Sequence, residues 1–317
     1  MTGRLISFLF LAAAFVFNGV LAATYSQSES ISGQGFYNSF SFQAISDPTH
    51  GRVNYVSQST AQSQNLTYAS SDHFVLRADF KNTLDPNGPG RNSVRLQSNQ
   101  QYETAVMIFN IRHMPQGCGT WPAVWTVGAN WPNQGEIDIL EGVNDQSPNQ
   151  VTLHTSAGCT MPASRSETGA TAGNNCDTAA TNNAGCGVKV SGSQSYGPTF
   201  NNDGGGWYAM ERTNSGIKVW FWSRNGGNVP SQVSSGAGSI DTSTWGTPAA
   251  YFPSTSCDIA SKFGPHNIVI NLTFCGDWAG AVYGSSGCPS SCVDYVNNNP
   301  GAFANAYFDF AWIKIYE

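Results

Sequence analysis

Three carboxylic acids stand within one strand-like run of six residues, Glu136-Ile137-Asp138-Ile139-Leu140-Glu141. Acids are scarce in this chain, 20 Asp plus Glu among 317 residues, so the clustering calls for a chemical reason. A strand points successive side chains to opposite faces. Glu136 and Asp138 then share one face, and Ile137 and Ile139 the other. Strict alternation would turn Glu141 into the apolar face, where a lone carboxylate is very costly. One extra residue in a β-bulge near Ile139-Leu140 returns Glu141 to the face of the other two. The outer pair is then effectively four strand positions apart, roughly 13 Å between Cα atoms. Glutamate side chains leaning inward could bring the carboxyls to about 5–5.5 Å, the separation that a retaining glycosidase needs. The acid between them adds like charge, which raises at least one pKa and helps keep a proton available.

The acidic pattern alone is more often a solvated strand face. Its flanks change the reading. Cys118-Gly119-Thr120-Trp121-Pro122-Ala123-Val124-Trp125 lies just upstream, followed by Trp131-Pro132-Asn133-Gln134-Gly135. Three tryptophans beside three acids make a poor soluble surface and a good sugar site. Pyranose rings offer an apolar C–H face to aromatic rings, while carboxylates bond hydroxyls and move protons.

W-P-A-x-W followed by G-E-I-D-I-x-E-G-V-N resembles glycoside hydrolase family 16, in particular the secreted fungal endo-β-1,3(4)-glucanases, or laminarinases. Gly90-Arg91-Asn92-Ser93-Val94-Arg95, His113-Met114-Pro115 and Thr152-Leu153-His154-Thr155 resemble the same subgroup. The likeness runs from about residue 24 to the C-terminus. It implies an all-β fold, a curved β-sandwich (jelly roll) of two antiparallel sheets with a substrate cleft on the concave face. Glu136 resembles the family nucleophile and Glu141 the general acid that later acts as base. Asp138 resembles the assisting acid between them, and His154 a supporting residue on the neighbouring strand. By the same resemblance Trp125 lines the catalytic subsite, and Trp131 and Trp278 are sugar platforms. Arg95 and Asn92 bond glucan hydroxyls, and Trp121 leans more towards packing than the others. No cofactor is implied. A calcium site on the convex face occurs in the family, but no acidic loop here calls for one. The implied partner is a β-glucan polysaccharide, and the implied reaction is retaining endo-hydrolysis of β-1,3 and mixed-linkage β-1,3-1,4-glucans. Wall-remodelling transglycosylases use the same acids. Glucan-recognition relatives without catalysis have lost acids, and all three are present here.

The rest of the chain fits an exported protein. Arg4, the apolar run Leu5–Phe17 and Val20-Leu21-Ala22 read as a secretory signal over residues 1–22. Residues 23–317 read as a single catalytic domain acting as an extracellular monomer. All eight cysteines follow the signal, which predicts four disulfides. Eight cysteines allow 105 pairings. Because three lie in one loop, at 159, 176 and 186, full pairing requires at least one bridge out of it. No spacing of Cys and His suits a zinc site, so no metal is expected. Asn65-Leu66-Thr67 and Asn271-Leu272-Thr273 are candidate N-glycosylation sequons. A net charge of −6 with only 14 Lys plus Arg and no basic cluster argues against nucleic acid. No run beyond the signal is long and apolar enough to span a membrane.

The elements that must position these groups are strands. Gly, Ser, Asn and Thr are abundant, and helix formers are few. Strands are expected over 36–45, 51–57, 73–80, 93–98, 104–112, 136–141, 150–155, 207–213, 216–223, 266–274 and 307–316. Ala105, Met107, Phe109 and Ile111 alternate with Val106, Ile108, Asn110 and Arg112, as for a strand with one buried face. Residues 156–206 read as a long loop stapled by cysteines, part of the cleft wall. Trp220, Trp222, Trp245 and Trp312 read as core or rim.

Overall fold

A computed structural model describes residues 24–317; the expected signal segment lies outside them. Two large antiparallel sheets of nine and eight strands pack face to face. The eight-stranded sheet carries the acids. Its spatial order is Ala170–Thr171, Cys186–Lys189, Gln150–His154, Glu136–Glu141, Thr120–Gly128, His266–Phe274, Arg95–Ser98 and Phe40–Phe42. The nine-stranded sheet centres on Tyr307–Tyr316, Ala105–His113, Gly206–Thr213 and Gly216–Ser223. Helices are few and short. None among the described residues is long and apolar enough to cross a membrane.

Between the sheets, Met107, Phe109 and Ile111 meet Val124, Ile137, Ile139 and Leu140 in one core. The reverse face of the nine-stranded sheet is covered as well. Val106 and Ile108 join Trp207, Trp220, Trp222 and Trp245 in a second apolar layer. The tryptophans assigned to core or rim thus mostly build this layer. It explains why Ala105–His113 is buried on both faces through Ile111 rather than alternating.

The strand Glu136–Glu141 contains the expected bulge. Asp138 pairs with Trp125 and Leu140 with Val124, so Ile139 is the extra residue. Ile139 and Leu140 both enter the core, and Glu141 returns to the side of Glu136 and Asp138. A bulge leaves backbone groups without ladder partners, and here a side chain supplies them. The fully buried Asn149 accepts the Glu141 N–H at 2.7 Å and donates to the Ile139 carbonyl at 2.9 Å. Its own N–H donates to Ser195 Oγ at 3.1 Å, and that hydroxyl donates to the Gly192 carbonyl. The segment 156–206 therefore supports the bulge from below. It is also less loop-like than its composition suggests, because Cys186–Lys189 extends the acid-bearing sheet beside Gln150–His154.

Four disulfides form and no cysteine is free. Cys159–Cys257 is the bridge that leaves the long segment, and Cys176–Cys186 closes within it. Cys118–Cys288 and Cys275–Cys292 tie the stretch around Trp278 to the start of Thr120–Gly128.

Asn149→Ala should cost about 1–3 kcal/mol, the penalty of leaving buried backbone groups unsatisfied. Urea unfolding measures it. Stability equal to wild type would show that the bulge holds itself.

Candidate active site

The pairing register lays out the site one strand at a time. Glu136, Asp138 and Glu141 project from the sheet face turned away from the core. On one side His154 stands opposite Glu136 and Thr152 opposite Asp138. On the other, Trp125 stands opposite Asp138 and Ala123 opposite Glu141, with Trp121 two residues beyond. One strand further, Val269, Asn271 and Thr273 pair with Trp125, Ala123 and Trp121, and Arg95 pairs with Asn271. Strand alternation puts all these side chains on one face.

The acids differ in access. The Asp138 side chain is 3% exposed and that of Glu136 is 17% exposed, so a substrate atom can reach Glu136 but not Asp138. His154 Nε2, on the neighbouring strand, lies 3.3 Å from Asp138 Oδ2 and 3.8 Å from Glu136 Oε1. Trp121 Nε1 donates to Glu141 Oε1 at 2.8 Å and fixes the outer carboxyl. Burial is the main cause that pushes Glu136, Asp138 and Glu141 each up to about 8. The negative charge of Asp138 raises Glu136 and Glu141 further, while His154, and for Glu141 the Trp121 N–H, works the other way. Groups this close titrate as one set, and the set keeps a proton at neutral pH.

The tryptophans frame this row. Trp125 Nε1 donates to Asn271 Oδ1 at 2.7 Å, and the Arg95 guanidinium lies 5.0 Å from its ring centroid. Arg95 is itself aimed by Gln43, whose Oε1 accepts from its Nε at 2.8 Å. Trp278 meets Trp121 edge-on, with centroids 5.7 Å apart, beyond the Glu141 end of the row. Its loop is held by the Asp277 N–H donating to the Thr49 carbonyl and by His50 against the Asp277 carboxylate at 2.9 Å. Trp131 is 44% exposed in the turn that leads into Glu136, at the opposite end. Asn92 lies on a short parallel strand, its amide bonded to Asn54 and Gln64 and to none of the acids.

The sequon at Asn271 needs correction. Its side chain is buried, accepting from Trp125 and donating to the Tyr55 hydroxyl at 3.1 Å. A glycan on that nitrogen would displace the contact to Tyr55 and crowd the acid row, which argues against occupancy of this sequon. The alternation of Asn267, Val269, Asn271 and Thr273 against Ile268, Ile270 and Leu272 carries the signal that shows this. Asn65 is exposed with a left-handed φ of 54°. Tyr55, Gln43 and Asn149 have no local motif to mark them; each is brought in by distant pairing.

Comparison with known proteins agrees with this fold. A family model described as XgeA-like, catalytic GH16 domain matches residues 40–316. A probable glycosidase of Schizosaccharomyces pombe is 45% identical over 93% of this chain and 70% of its own length. The endo-1,3(4)-beta-glucanase xgeA of Emericella nidulans is 41% identical over 96% of this chain and 50% of its own length. The chain thus spans about half to 70% of such relatives. Among solved structures, laminarinase 16A from Phanerochaete chrysosporium, holding 6-O-glucosyl-laminaritriose in both donor and acceptor sites, superposes with a TM-score of 0.92 at 60% identity. That match covers 93% of this chain and all of the other. An elongating family 16 β-1,3-glucosyltransferase gives a TM-score of 0.86 at 42% identity, over 92% of this chain and all of the other. With a family model over most of its length and relatives above 40% identity, the chain belongs to glycoside hydrolase family 16.

Proposed function

We propose that this protein is a secreted, retaining endo-β-glucanase that cleaves β-1,3 and mixed-linkage β-1,3-1,4-glucans by double displacement. The observation that carries the reading is the set of three acids that the bulge gathers on one sheet face. Glu136, open to substrate, attacks the anomeric carbon as the glycosidic C–O bond breaks. Glu141 gives its proton to the departing oxygen. Glu141 then takes a proton from water, whose oxygen displaces Glu136 from the anomeric carbon. Asp138, buried between them in the row, modulates the charge of Glu136 and Glu141, and His154 and Trp121 flank the carboxyls. None of these steps needs a cofactor.

Trp131 and Trp278 lie at opposite ends of the acid row, which supports binding of a chain across the cleavage point rather than a chain end in a pocket. The likeness to laminarinase 16A, with glucans on both sides of its site, supports the same reading. A second reading has its own support in the likeness to an elongating glucosyltransferase. There a sugar hydroxyl replaces water in the second step, and the acids act unchanged. The ratio of shortened to lengthened products from laminarioligosaccharides separates the two.

Glu136→Ser should abolish cleavage of laminarin while leaving binding largely intact, because the nucleophile contributes in the transition state. Turnover at the wild-type rate would remove Glu136 from this position. Glu141→Ala should spare aryl glucosides far more than laminarin, since a good leaving group needs no proton. With the acid pushed up to about 8, wild-type kcat/KM should fall as pH rises through that value, and the variant should lose this limb on the aryl substrate. Equal losses on both substrates would contradict the assignment. Laminarin should yield mixed oligosaccharides early, and Trp131→Ala and Trp278→Ala should each cost roughly 1–3 kcal/mol in kcat/KM, on the scale of aromatic stacking. Glucose released alone from chain ends would overturn the endo reading.

A further inference from the structure

The outer face of the nine-stranded sheet carries a basin lined by polar side chains. Met107, Phe109 and Ile111 point into the main core, so Asn110 and Arg112 project from the opposite face. They open into a basin of about 560 Å³, bounded also by Arg224, Trp312, Asp72 and Ser32. That volume is in the range of small-molecule sites. The entire sandwich lies between this basin and the three acids.

Its polar groups are fixed in advance. Arg224 lies over the Trp207 ring, 4.2 Å from its centroid. It donates through Nε to the Gly204 carbonyl at 2.7 Å, and through Nη2 to Asn110 Oδ1 at 2.7 Å and the Ile111 carbonyl at 3.0 Å. Its Nη1 has no protein partner among the described residues. Arg112 is held by the Asp72 carbonyl at 3.0 Å and the Asp72 carboxylate at 3.3 Å. Asp309, which burial pushes up while both arginines pull it down, keeps a buried Oδ1 with no hydrogen-bond partner. Two guanidinium groups are thus balanced by two carboxylates. The balance disfavours an anion or a cation and suits a neutral ligand rich in hydroxyls, with the half-buried Trp312 ring as an apolar wall.

We propose that this basin is a second binding site for glucan, holding one or two glucose units of the same neutral polymer that is cut in the cleft. The ligand class rests on the reading above; the site itself rests on the basin. Its consequence is tethering: an enzyme held on an insoluble chain by its outer face keeps its cleft near uncut bonds.

The test compares retention on insoluble β-1,3-glucan with cleavage of laminaripentaose, which is too short to span both sites. Trp312→Ala, and separately Ser32→Arg, are made in the full chain, with retention measured on a Glu136→Gln background so that the matrix is not consumed. Ser32 is exposed and its side chain makes no hydrogen bond, so Ser32→Arg fills the basin from its rim without touching the core. Each variant should lower the partition constant on insoluble glucan at least threefold. Laminaripentaose kcat/KM in the active background and the melting temperature of Ser32→Arg should stay at wild-type values. Unchanged retention by folded Ser32→Arg would overturn the proposal. Wild-type protein that fails to cut laminaripentaose while both variants still lose retention would leave the basin standing and remove the cleft reading instead.

Discussion

One backbone irregularity governs the rest of this structure. Without the extra residue at Ile139, Glu141 would face the core and the site would have two acids in place of three. The bulge is costly in ladder hydrogen bonds, and Asn149 offsets that cost by bonding both sides of it. Asn149 is in turn tied through Ser195 to the long segment 156–206. That segment therefore serves the chemistry by holding the floor under Glu141, in addition to extending the sheet.

The site works against the stability of the domain. Three carboxyls are packed where burial favours their neutral forms, each pushed up to about 8. The folded state thus binds protons that the unfolded chain releases at ordinary carboxylate values. The sign follows: these groups lower stability progressively as pH rises from the unfolded carboxylate range to about 8. Four disulfides and an apolar layer on each side of the nine-stranded sheet supply the rigidity that tolerates this. The same rigidity fixes the separation of Glu136 and Glu141, on which the choice between retention and inversion depends.

What the sequence could show followed from local physics. The bulge was legible because a lone buried carboxylate is too costly, and alternation then placed Glu136, Asp138 and Glu141 together. The strand Thr120–Gly128 was harder to see, because Pro122 argues against a central strand. Pro122 is tolerated since it pairs only with Leu272, one residue past the last contact with the acid strand at Ala123. Asn271 was hidden by a sequon that outweighed its strand alternation. Cys186–Lys189 is too short to stand out from a Gly- and Asn-rich segment, and only pairing with Gln150–His154 makes it a strand. Tyr55, Gln43 and Asn149 act through contacts that no local spacing encodes.

In the reading proposed above, the bulge sets Glu136 and Glu141 at the spacing for direct attack, with no water between nucleophile and sugar. The stereochemistry of the first product tests it most directly. Proton NMR should follow cleavage of a laminarioligosaccharide from its first seconds, before mutarotation mixes the anomers. Double displacement requires a new reducing end that appears first as the β-anomer and then relaxes toward equilibrium. A new reducing end that appears first as the α-anomer would mean single displacement by water and would contradict it.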